Sequence, residues 1–130
     1  MSSQPVSTAA RPLSVSKAPR PIMPLHVEAF LHGTHWMSCD VVGAYVRLLL
    51  HQWAHGSVPG DDLAAVGAIL HVSRRKAHYL WSRVGPKFIR ASDATWRNLR
   101  LDETRRNAVE FSERQQARAR LRWKRHALPT

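Results

Sequence analysis

The residues best equipped for chemistry are cations at helical spacing. The run SRRKAHYLWSRV, residues 73–84, carries Arg74, Arg75, Lys76, His78, Ser82 and Arg83 around an apolar stripe of Ala77, Leu80, Trp81 and Val84. A guanidinium fork donates two parallel N–H groups, a match for a phosphate or for the O6/N7 edge of guanine. Two further arginines, Arg90 and Arg97, sit in the short apolar–polar alternations KFIRA and TWRNL. A third group, Arg114, Arg118, Arg120, Arg122, Lys124 and Arg125, crowds the end of the chain without an acid between them. Their spacing of one to four residues reads as wrapping around a helix rather than forming one narrow stripe. Such an array suits a phosphate backbone better than base edges. All three groups point to non-covalent capture of a polyanion. The plainer alternative is a set of solvated basic faces that keep the protein soluble.

Other chemistries find less support. The sequence has no GxxxxGK[ST], HExxH or GxSxG motif, so no enzyme and no cofactor is expected. Asp61 and Asp62 are adjacent and would point apart on a helix. They read as a cap and a first-turn acid rather than a metal pair. His32, His35 and Cys39, and the i,i+4 pair His51 and His55, have zinc-like spacings, but nothing completes a four-ligand set. No metal is expected.

The composition agrees with a polyanion partner. The chain has 130 residues, enough for one modest domain, with Lys+Arg 20 against Asp+Glu 9 and a net charge of +11. Sixteen of those cations are Arg, the residue suited to bidentate contacts. The single cysteine, Cys39, excludes an intrachain disulfide and fits a reducing cytoplasm. No apolar run is long enough for a membrane span.

The elements that must position these residues follow from periodicity. Residues 1–24 hold five of the eight prolines and no acid, and read as a disordered tail. LHVEAFLHGTHWM forms a short helix or turn, broken near Gly33. Ser38 then caps a helix whose stripe is Val42, Tyr45, Val46, Leu49 and Trp53. HGSVPG stops it. Asp61 caps a second helix with Leu63, Val66 and Leu70 inward. Ser73 caps the basic helix, which ends at Gly85-Pro86. Two strands follow, joined by Ser92-Asp93-Ala94, with Phe88 and Ile89 on opposite faces and Trp96 as an anchor. From Asp102 a long polar helix runs to the end. Its basic half is expected to be partly disordered when free and to order on phosphates. Tyr45, Leu49, Trp53, Leu70, Leu80, Trp81, Phe88 and Trp96 are expected to share one core.

The expected fold class is therefore mainly α with a small β-hairpin: a winged helix-turn-helix over residues 25–101 with a long C-terminal basic helix or arm over 102–130. The basic helix would be the recognition helix and the hairpin the wing.

Several residues also resemble a known family. Gly43-Ala44-Tyr45, then Leu48, Leu49 and Trp53, then Pro59 with Asp61-Asp62, Trp81, Lys87-Phe88 and WRNLRLDETR occur in an order similar to the YdaU-like domain of unknown function of phage and prophage proteins. The resemblance covers about residues 23–123. It implies a winged helix related to phage replication initiators, and says less about biochemistry. The SRRK start of the basic helix and the proline-rich tail depart from the family pattern. The expectation is a non-enzymatic, cytoplasmic protein that binds nucleic acid, duplex DNA foremost, in replication initiation or its regulation. The competing expectation is a module that docks a replication protein or host factor. A membrane surface is the least favoured partner for the basic segment.

Overall fold

The computed structural model describes residues 21–127. The expected disordered tail falls largely on residues 1–20, outside the described residues. The order of elements is α1 (Val27–Thr34), α2 (Cys39–His55), α3 (Leu63–Leu70), α4 (Arg74–Val84), a 3-10 turn (Gly85–Lys87), β1 (Ile89–Arg90), β2 (Trp96–Arg97) and α5 (Leu99–Ala127). The protein is mainly helical with one small antiparallel sheet.

Each boundary has a local cause. His26 caps α1 by accepting the Ala29 N–H on Nδ1. Ser38 occupies the N-cap position of α2, but its hydroxyl donates to Asp40 instead of accepting from the backbone. Gly56 ends α2 with φ of 97°, a left-handed conformation that glycine adopts at no steric cost. Asp62, not Asp61, caps α3 by accepting the Ala65 N–H. The two acids are one residue apart, so spacing alone could not decide between them. Ser73 caps α4 as expected, accepting the Lys76 N–H. Asn98 caps α5 by accepting the Leu101 N–H on its side-chain oxygen, so the helix begins three residues before Asp102.

The core is one cluster drawn from α2, α3, α4, Val58, Phe88 and Leu101. Tyr45, Leu49, Trp53, Leu70, Leu80 and Phe88 are buried in it as expected. Trp81 and Trp96 are only half-buried and pack edge to face against each other at 5.3 Å. The buried stripe of α2 is centred on Val41, Leu48 and Gln52 rather than on Val42 and Val46.

The sheet is smaller than the alternation suggested, at two residues per strand, with Ile89 opposite Arg97 and Arg90 opposite Trp96. Phe88 does point inward and Ile89 outward. The turn is held by the Asp93 carboxylate, which accepts from the Thr95 N–H and hydroxyl. A third piece of backbone joins: Val58, between α2 and α3, exchanges two hydrogen bonds with Trp96 at 2.8 and 2.9 Å.

The long helix expected from Asp102 is present: α5 is continuous through Ala127, including the basic segment. At about 1.5 Å of rise per residue its 29 residues span about 43 Å. Its first turns are anchored by buried Leu101, by Arg105, which donates to the Trp53 carbonyl, and by Ala108 against the core. Leu121 and Trp123, near its end, stay 57% and 73% exposed, so neither docks on the body.

Candidate nucleic-acid interface

Two clusters fix the helices that present the cations. The first is a buried polar hub. Gln52, 1% exposed, donates to the Asn98 carbonyl and to Asp102, and accepts the Asn98 N–H at 2.7 Å. The Asn98 amide donates to the Tyr45 hydroxyl and to the Lys87 carbonyl. Every hydrogen-bonding group of both amides is used, which a buried polar pair requires. Burial raises the Asp102 pKa. The hub joins α2, the 3-10 turn and the start of α5.

The second cluster seats the hairpin. Asp61 accepts from the Arg90 fork at 2.7 and 2.9 Å and from Trp96 Nε1 at 2.8 Å. The carboxylate is held below its usual range, first by Arg90 and then by Trp96. Gly60 lies beneath the two indoles. A Cβ there would stand 2.4 Å from Trp81 Cζ2 and 2.6 Å from Trp96 Cδ1, so any side chain would displace them.

On this frame the basic residues separate into two kinds. Lys76 is paired with Asp40 at 2.9 Å and lies over the Tyr79 ring. Asp40 is drawn down to about 2, first by the Ser38 hydroxyl and then by Lys76. Arg90 is committed to Asp61, and Arg83 lies over the Trp36 ring at 5.4 Å. Ser82 turns its hydroxyl back to the Tyr79 carbonyl. By contrast, Arg74 and Arg75, in the first turn of α4, are exposed and make no ion pair among the described residues. His78 and Arg97 are also exposed.

The basic end of α5 forms a separate array. Arg114, Arg118, Arg120, Arg122, Lys124 and Arg125 are all exposed and make no ion pair among the described residues. On a continuous helix Arg114, Arg118, Arg122 and Arg125 fall on one face, because steps of four, four and three residues nearly repeat the helical period. The expected wrapping thus resolves into a main face of four cations and a second face, taken by Arg120 and Lys124.

The histidine pairs have local roles. His35 Nδ1 contacts the His32 carbonyl, and the His51 and His55 rings lie 4.5 Å apart. Burial, then His55, lowers the pKa of His51. Among the described residues no three His, Cys, Asp or Glu side chains gather as a metal site.

Sequence reasoning missed the partners of Lys76 and Arg90 and the whole polar hub. A signal was present in WRNLRLDETR and in Tyr45, Trp81 and Asp61. These residues of the family resemblance turn out to be the hub and the hairpin seat.

No curated protein and no solved structure matches the chain. A family model described as a protein of unknown function (DUF1376) matches residues 21–104. The matched span takes in α1 to the second turn of α5, both fixing clusters and all of α4, and stops before Arg114. It covers well over half of the molecule, and the chain belongs to the DUF1376 family.

Proposed function

We propose that the chain is a non-enzymatic winged-helix protein that binds duplex DNA. The observation that carries this reading is the pair Arg74 and Arg75, exposed and without an ion pair among the described residues on the first turn of α4, which we read as the second helix of a helix-turn-helix. The N-terminal end of that helix is what enters the major groove in helix-turn-helix proteins. The Val58–Trp96 bridge supports the winged form, since a strand between the first two helices and a hairpin after the third is its order. Arg74, Arg75 and His78 read base edges. Arg97 and the stripe on α5 meet phosphates. Lys76 and Arg90 serve mainly as struts, because Asp40 and Asp61 hold them. The setting we propose is replication initiation or its control in a phage or prophage, inside the bacterial cell. YdaU-like resemblance supports this setting, and no helix of the described residues is long and apolar enough to cross a membrane.

The test is a titration against duplex DNA, single-stranded DNA and RNA at several salt concentrations. We expect duplex DNA to bind most tightly, with log K falling steeply against log salt. Equal binding to all three would leave only charge attraction. No binding to any would turn the reading toward a protein adaptor.

A further inference from the structure

A groove of about 560 Å³ lies between α1, the 3-10 turn, β1 and the start of α5, and none of the residues assigned to DNA lines it. Its apolar lining includes Leu25, Phe30, Ile89 and Leu99, of which Leu25, Ile89 and Leu99 are 48%, 55% and 61% exposed. Exposed large apolar residues gathered at one concavity are characteristic of a docking site. The polar lining is of one sign. Lys87 and Arg100 stand in it with two histidines, and among the described residues no carboxylate lines it. Glu28 and Glu103 lie on the same two helices but outside the lining.

We propose that this groove docks a short acidic, apolar segment of a partner protein. Apolar side chains of the segment cover Leu25, Ile89 and Leu99, and its carboxylates meet Lys87 and Arg100. Charge complementarity selects the occupant. Residues 1–20 of this chain carry Arg11, Lys17 and Arg20 and no acid, so they match the groove in sign and are disfavoured. A second copy brings a net charge of +11 to the same surface. A nucleic acid supplies the negative charge but leaves the apolar residues uncovered. The result is a division of labour: α4 and the far end of α5 toward a polyanion, α1 and the start of α5 toward a protein. The inference does not depend on DNA binding.

The experiment selects short peptides from a displayed random library on the full chain, then measures their affinity by fluorescence anisotropy. Recovered peptides should combine Asp or Glu with large apolar residues. Leu99→Ser and Arg100→Glu should each weaken their binding by about tenfold, as loss of a central anchor does. Both positions are exposed, so melting temperature should hold, and Ile89→Ser provides a second apolar test. Raising salt to about 0.5 M should weaken the peptides without abolishing them. Selection of peptides without acidic residues, equal binding to wild type and the groove variants, or recovery of no binder would overturn the proposal.

Discussion

Exposed cations on the folded body and on the end of α5 are chemically alike but differently placed. Lys76 and Arg90 each face a carboxylate brought from elsewhere in the chain, Asp40 and Asp61. Arg118 and Arg122 are exposed and make no ion pair among the described residues. On the body, a cation has neighbours from several elements, so the fold can recruit it as a strut. Along the end of α5 no carboxylate pairs with these cations among the described residues, so their charge is not spent within the fold described. Net charge therefore overstates the unpaired cationic surface of the body more than that of the arm. The family match follows the same division. It ends at residue 104, before any of the arm's cations.

The largest effect that separates the two regions is on stability. Asn98→Ala would orphan the Lys87 carbonyl, the Tyr45 hydroxyl and the Leu101 N–H. At roughly 1–3 kcal/mol per buried group, the loss should be about 3 kcal/mol, and melting should fall by more than about 10 °C. Arg118→Ala should change stability by less than about 0.5 kcal/mol. Equal melting curves for the two variants would break the comparison.

Next in size is recognition. Arg74→Ala and Arg75→Ala should each cost about 1–3 kcal/mol on a preferred duplex and much less on others. Uniform loss across sequences, measured by competition titration, would turn both into phosphate contacts.

A subtler effect tests whether a strut can be converted. Asp61→Asn removes the charge that holds Arg90. The freed guanidinium should add about one phosphate contact, steepening the salt slope by about 0.9. An unchanged slope would mean that Arg90 never reaches DNA.

The smallest expected effect is on acid stability. Asp40 lies at about 2 in the folded chain against an ordinary 3.8, so its contribution is present above about pH 4 and lost as pH falls toward 2. Asp61 and Asp93 act in the same direction. Asp102 is raised, so its contribution has the opposite sign and fades as pH rises through its folded value. Asp40→Asn should flatten the drop in melting temperature between pH 4 and 2 slightly, because the pair is exposed. A drop as steep as wild type would show that Asp40 has no part in it.

Much of this architecture was legible in the sequence. Apolar spacing located the helices, Ser73 marked the start of α4, and Gly85-Pro86 marked its end. Local rules failed where partners are distant. Asp61 reads as a helix cap from its neighbours, yet its partners are Arg90 and Trp96, 29 and 35 residues away. Asn98 looks like the tail of a strand, but the Gln52 amide and its own capping of Leu101 turn the chain into helix there. The Val58 bridge is one residue long, too short for alternation to reveal. On the arm, both the helix and its cations were legible; the alignment of Arg114, Arg118, Arg122 and Arg125 on one face was hidden by Arg120 and Lys124, which interrupt the run on another.

The most direct measurement is a salt titration on duplex DNA of the full chain and of a chain ending at Glu113. The Arg114, Arg118, Arg122 and Arg125 face offers about four phosphate contacts, so truncation should shallow the slope of log K against log salt by roughly 3–4. Melting should stay near that of the full chain, because Leu121 and Trp123 are exposed. An unchanged slope would contradict the assignment of the arm to nucleic acid.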